Sequence, residues 1–116
     1  DLIIVGGKNI FPQDLENLAY SVPGIHPGRA VAFGLMNEEL GTEEVVIVAE
    51  LEPGLDGPQI AQELEGAVRM AVIQGSEVTP RVVKVVPAPW ILKTSSGKTA
   101  RAANRDKYIS QFGSEA

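Results

Sequence analysis

The residues with the clearest capacity for chemistry are Lys93-Thr94-Ser95-Ser96-Gly97-Lys98, six positions that combine two ammonium groups, three hydroxyls and a glycine. An ammonium on a flexible stem is a compact positive charge, able to steady negative charge building on a phosphate or carboxylate oxygen. The composition predicts a flexible loop after the strand-like run Arg81 to Val86, and so a mobile tether able to carry Lys98 into another domain's active site. A lysine alone would be an ordinary surface residue. The flanking Thr94, Ser95, Ser96 and Gly97 add hydroxyls, backbone donors and conformational freedom, the properties of a loop that closes over an oxyanion. If the chain continues as a helix, Arg101 and Arg105 fall on the same face as Lys98. Gly97-Lys98-Thr99 also matches the end of a P-loop, but that motif needs a glycine where this chain has Leu92. It also needs a strand running straight into the glycine-rich turn, and Pro87, Pro89 and Trp90 intervene.

A second candidate stands near the start. Gly6-Gly7-Lys8-Asn9 reads as a tight turn whose glycines permit positive φ or a close approach to backbone. The elements that must position these two segments follow from periodicity. Leu2 to Val5 reads as a short strand, with Ile10-Phe11 returning to close a hairpin. Pro12 suits the first position of a helix carrying Leu15, Leu18 and Ala19, which should stop before Pro23-Gly24. Ala30 to Leu35 and Val45 to Leu51 read as buried neighbouring strands. Ile60, Leu64, Ala67, Val68, Ala71 and Val72 form the apolar stripe of a second helix, in which Gly66 costs about 1 kcal/mol relative to alanine. Arg81 to Val86 is a further strand, and a terminal helix runs through Phe112. The predicted fold class is α+β, a small central β-sheet with an N-terminal β-hairpin and about three flanking helices.

With 116 residues and 44% hydrophobic content, the chain fits one globular domain, too small to wrap a deep two-sided pocket. Any substantial ligand site is therefore expected to be shared with another domain. The absence of cysteine excludes disulfides, thiolate metal sites and a cysteine nucleophile, and the single His26 argues against a histidine-rich metal centre. No apolar stretch is long enough for a membrane span and the first residues lack the basic lead of a signal peptide, so a cytoplasmic protein is expected. A net charge of −5 disfavours nonspecific nucleic-acid binding. The charge is uneven: nine acidic and no basic residues lie between Glu38 and Glu65, while seven basic residues and only Asp106 lie between Arg81 and Lys107. Either these are two solvated faces or the basic segment meets an anion. His26, beside Pro27-Gly28, is expected in a loop, and Trp90 is expected to pack rather than stack on a ligand.

Lys93 to Lys98, followed by Arg101, resembles the final signature motif of the adenylate-forming superfamily, which includes acyl-CoA synthetases, fatty acyl-AMP ligases, peptide-synthetase adenylation domains and luciferases. Asp1 to Glu16, centred on Gly6-Gly7-Lys8-Asn9-Ile10-Phe11-Pro12, resembles the segment just after that superfamily's interdomain hinge. The two motifs stand at opposite ends in the expected order, so the resemblance spans essentially the whole chain. It departs from the common pattern at Leu92, where proline usually precedes the lysine. The Asn9 to Pro12 run is more similar to acyl-CoA synthetases and fatty acyl-AMP ligases than to peptide-synthetase domains.

The resemblance implies that residues 1–116 are the mobile C-terminal lid of an acid-thiol ligase, starting just after the hinge, with the N-terminal ATP- and acyl-binding domain absent. Lys98 is then the catalytic lysine of acyl-adenylate formation from a carboxylic acid, in the fatty acid class, and ATP. Thr94, Ser95, Ser96 and Gly97 would frame it. The loop Gly6-Gly7-Lys8 would approach the phosphopantetheine thiol of coenzyme A or of an acyl carrier protein once the domain rotates, and Glu16 would be structural. ATP and Mg2+ are expected mainly on the missing domain, the principal partner, and the isolated lid is expected to be inactive. The alternative is a noncatalytic interaction domain that kept the fold and docks a carrier protein or partner enzyme.

Overall fold

Continuous burial along the centres of two long strands makes the frame of the molecule, seen in a computed structural model that describes residues 2–113. The elements in order are β1 (Ile3–Val5), β2 (Lys8–Ile10), α1 (Pro12–Tyr20), β3 (Ile25–Asn37), β4 (Thr42–Leu51), α2 (Pro58–Gly75), β5 (Val82–Val86) and α3 (Arg101–Phe112). β3 and β4 pair antiparallel, and β5 joins β4 in parallel after the α2 crossover, giving the strand order β3-β4-β5. β1 and β2 form a separate antiparallel hairpin. This is the expected α+β architecture: small central sheet, N-terminal hairpin and three helices.

The strand centres are mostly apolar on both faces because both faces of the sheet are covered. Ala30, Ala32, Val45, Ile47, Ala49, Val83 and Val85 face one way, onto Leu15 and Ala19 of α1 and Val68 and Val72 of α2. Their neighbours Val31, Phe33, Val46, Val48 and Val86 face the other way, onto Trp90, Ile91 and Tyr108. Tyr108 and Phe112 lie one and two turns beyond Asn104 on α3, so a single stripe of that helix closes the second face. Trp90 is buried in this layer, as expected of a packing residue.

Side chains from the helices also cap both open edges of the sheet. On the β3 edge the amide of Ala32 donates to Glu16 (2.8 Å) and that of Ala30 to the Tyr20 hydroxyl (3.3 Å). On the β5 edge the amide of Val85 donates to Glu65 (3.0 Å). Bonding these edge amides to side chains from α1 and α2 removes part of each edge as a template for pairing with another strand.

Several boundaries differ from the sequence reading. β3 begins at Ile25 rather than Ala30, because a register shift between Ile25 and Ala30 absorbs Pro27-Gly28 as an irregularity within the strand. His26 therefore belongs to β3 and not to a loop, and its Nδ1 is buried without a hydrogen bond among the described residues. Phe11 caps α1 instead of extending β2, since Pro12 occupies the first helical turn. β5 starts at Val82, one residue later than expected.

Candidate functional site

Lys93 and Thr99 face each other across an isolated antiparallel bridge, so the segment between them is a tight hairpin and not the loose tether that its composition predicts. The Gly97 amide donates to the Thr94 carbonyl (2.9 Å) and the Thr94 amide to the Lys98 carbonyl (2.7 Å). Gly97 has φ +87°, a conformation that closes this turn and that other residues rarely adopt. The Thr94 hydroxyl is spent locally, accepting from the Lys98 amide (3.3 Å) and lying 3.0 Å from the Ser96 hydroxyl. All six residues from Lys93 to Lys98 are exposed. Among the described residues nothing binds the Lys98 ammonium, which leaves it available to a group outside this domain.

The base of the hairpin is held from several directions. Glu50, near the end of β4, is buried and accepts from the amides of Trp90 (2.8 Å) and Ile91 (2.7 Å). The same carboxylate takes Arg29 Nε (3.1 Å) and Nη2 (3.0 Å), and Arg29 Nη2 also reaches the Ile91 carbonyl (3.2 Å). Burial pushes the Glu50 pKa up, but the Arg29 guanidinium and the two amides outweigh it and hold the carboxyl below its ordinary value. Asn104 of α3 closes the neck: its Oδ1 accepts from the Leu92 amide (2.8 Å), and its Nδ2 donates to the carbonyls of Leu92 (3.0 Å) and Ala100 (2.9 Å). Lys107 donates to the Trp90 carbonyl (2.6 Å) and sits over the indole, 4.4 Å from its centre.

Arg101 does not share a face with Lys98. α3 begins at Arg101, three residues after Lys98, and Arg101 turns inward to Glu16, with Nη2 at 2.8 Å from Oε1 and Nε at 3.2 Å from Oε2. Glu16 thus ties the first helix to the start of the last. Arg105 lies on α3 as well, 3.8 Å from Asp106.

Gly6 (φ +56°) and Gly7 (φ +84°) form the two-residue turn of the β1–β2 hairpin, both in the left-handed region that this turn demands. Thr42 fastens the turn to the β3–β4 connection by accepting from the Gly6 amide (2.8 Å) and donating to the Ile4 carbonyl (3.1 Å). A Cβ built on either glycine would meet nothing within 4 Å. The exposed backbone opens onto a shallow hollow shared with Ile4, Met36 and Leu40. Lys8 points elsewhere and pairs with Glu77.

The two candidate segments are thus fastened to opposite ends of β4, one at Thr42 and the other at Glu50. Eight residues of strand separate those anchors by about 26 Å. Sequence reasoning brought out both loops but missed Glu50, Arg29 and Asn104. A carboxylate inside the apolar run Val45 to Leu51 was the available signal for Glu50, since a buried charge demands partners.

Comparison with known proteins extends over nearly the whole chain. The chain is 34% identical over 111 residues to the medium-chain-fatty-acid acyl-carrier-protein ligase JamA of Moorena producens, covering 94% of this chain and 18% of that protein. It is also 34% identical over 128 residues to the long-chain-fatty-acid AMP ligase FadD32 of Mycobacterium marinum, covering 94% of this chain and 20% of that protein. The chain is homologous to the acyl-CoA and fatty acyl-AMP ligases of the adenylate-forming superfamily. A solved structure of fatty acyl-adenylate ligases from E. coli and L. pneumophila superposes on all of it with a TM-score of 0.77 and 30% identity, over 20% of that structure. No family model matches the chain. The chain spans about a fifth of the length of these ligase relatives. Among the described residues no helix is long and apolar enough to cross a membrane, and no cluster of carboxylates and histidine could hold a metal ion.

Proposed function

We propose that residues 1–116 are the C-terminal lid of an AMP-forming acid-thiol ligase that activates a fatty acid and passes its acyl group to a phosphopantetheine thiol. The observation that carries this reading is the Lys98 ammonium, exposed on a hairpin whose base is tied into the core and bound by nothing among the described residues. In the first half-reaction a carboxylate oxygen attacks the α-phosphorus of ATP and pyrophosphate leaves. Lys98, brought against the larger domain, holds the oxygens on which negative charge accumulates. The hydroxyls of Ser95 and Ser96 flank it on the exposed hairpin. The hairpin is an exposed projection with no enclosing wall, so the nucleotide and its Mg2+ must be held mainly by the other domain. Such an arm contributes charge and position, and the isolated lid is inactive by itself.

In the second half-reaction the thiol attacks the acyl carbonyl and AMP leaves. The Gly6-Gly7 turn suits the neighbourhood of a thin pantetheine arm because its backbone is bare and unobstructed. Its anchor stands about 26 Å along β4 from that of the Lys98 hairpin, so the domain would rotate to present first one end and then the other. Coenzyme A and a carrier protein share that arm.

Lys98→Ala in the full-length enzyme should lower acid-dependent pyrophosphate exchange by about 100-fold or more while changing thioester formation from supplied acyl-adenylate no more than about twofold. Equal loss of both half-reactions would overturn the two-ended scheme. Exchange that does not depend on Lys98 would favour a docking module that kept the fold without the chemistry.

A further inference from the structure

We infer that Glu50 is a positioning residue for Lys98: its buried carboxylate sets the height and direction of the Lys98 hairpin by gripping the two backbone amides at its root. This inference rests on the adenylation reading above. The geometry singles out Glu50 because its side chain is 1% exposed and all its bonds go to two places. One oxygen, Oε2, takes the amides of Trp90 and Ile91 together with Arg29 Nη2, and the other takes Arg29 Nε. Consecutive amides of a loop segment converging on one carboxylate oxygen fix the orientation of that segment as well as its distance. Arg29 completes the grip by donating from the same Nη2 to the Ile91 carbonyl. Two residues later the chain enters the hairpin at Lys93, and Asn104 prevents the neck at Leu92 and Ala100 from pivoting.

A core built only for stability has no need of this arrangement. Apart from Glu50 and Asn104, the buried side chains of the second core layer are apolar or aromatic, and an apolar residue at position 50 would avoid the desolvation of a charge. What an apolar residue could not supply is a directional hold on Trp90 and Ile91. Misplacing a catalytic group by about 1 Å can cost about 100-fold in rate, so a rigid root matters for an arm that must meet a reaction centre in another domain. The Gly6-Gly7 turn is anchored through Thr42, at the other end of β4, and does not depend on this grip.

The test uses the full-length enzyme and three variants. Glu50→Gln keeps an acceptor for the amides but sets an amide nitrogen against Arg29, while Glu50→Asp keeps the charge and withdraws it by one methylene. Both should lower acid-dependent pyrophosphate exchange by about tenfold or more, with Glu50→Asp the milder, and leave thioester formation from supplied acyl-adenylate within about twofold of wild type. Hydrogen exchange at residues 90–92 should accelerate in both variants while the amides of α1 and the centre of β4 stay protected. Lys98→Ala is the control for the underlying reading: if it leaves exchange intact, the adenylation role of Lys98 fails. If Lys98→Ala abolishes exchange but the Glu50 variants lose both half-reactions equally, lose neither, or cannot fold, Glu50 is a fold residue only and the inference is overturned.

Discussion

At the scale of single residues, the molecule separates side chains that hold the fold from those it leaves available. Glu16 and Arg101 are spent on each other, Glu50 and Arg29 likewise, and Lys107 is taken by Trp90. Lys98 and Lys93 remain outside these pairings, which is what distinguishes them from the other basic residues of the segment. Tyr108 is a different kind of exception. It is fully buried between Phe33 and Phe112, with ring centres 5.6 and 5.2 Å away, yet its hydroxyl has no hydrogen-bond partner among the described residues. Burial raises its pKa, as expected for a phenol taken out of water. Tyr108→Phe keeps the aromatic packing and removes the unpaired group. It should raise stability by about 1 kcal/mol, seen in thermal unfolding as a midpoint higher by about 4 °C; a fall would show that the hydroxyl is satisfied in solution.

Among the elements, α2 and the signature hairpin illustrate how local conformation and packing divide the work. α2 is anchored by Val68 and Val72 and starts with Gly57 before Pro58, so proline geometry and not a side-chain cap sets its first turn. Gly66, in the middle of this helix, is exposed and an added Cβ would meet nothing within 4 Å. It pays the entropic cost of glycine without a close approach that requires it. Gly66→Ala should therefore stabilise the chain by about 1 kcal/mol, read in a chemical denaturation midpoint with an unchanged slope. The hairpin shows the reverse case. Its Ser, Thr and Gly composition suggests looseness, but those are also the residues that close a tight turn, and its order comes from Glu50 and Asn104 beneath it.

Taken whole, the molecule sets its two candidate segments at opposite ends of one sheet, and the consequence for the ligase reading is that they should fail separately. Gly7→Leu forces a side chain onto a backbone with φ +84° and fills the open space beside the Gly6-Gly7 turn. In the full-length enzyme it should lower thioester formation by about tenfold or more while leaving pyrophosphate exchange within about twofold, the mirror image of Lys98→Ala. Unimpaired transfer in that variant would remove Gly7 from the proposed thiol path.

Local pattern made the order of elements, the apolar strands, the helical stripes and both loops legible, because each depends on spacing within a few residues. The segment Lys93 to Lys98 and the turn at Gly6-Gly7 could be identified from their composition and motif alone. What those side chains face could not. The bonds from Glu50 to Ile91 and from Arg101 to Glu16 join positions 41 and 85 residues apart, and no local spacing encodes such a pairing. The sequence by itself determined which groups exist and which elements carry them. Only tertiary packing decided that Arg101 is consumed by Glu16, that the supposed tether is a braced hairpin, and that the Lys98 ammonium is bound by nothing among the described residues. The physical reason is that a buried charge must find its partners wherever the fold brings them, whereas an exposed one is left to the solvent and to whatever docks against it.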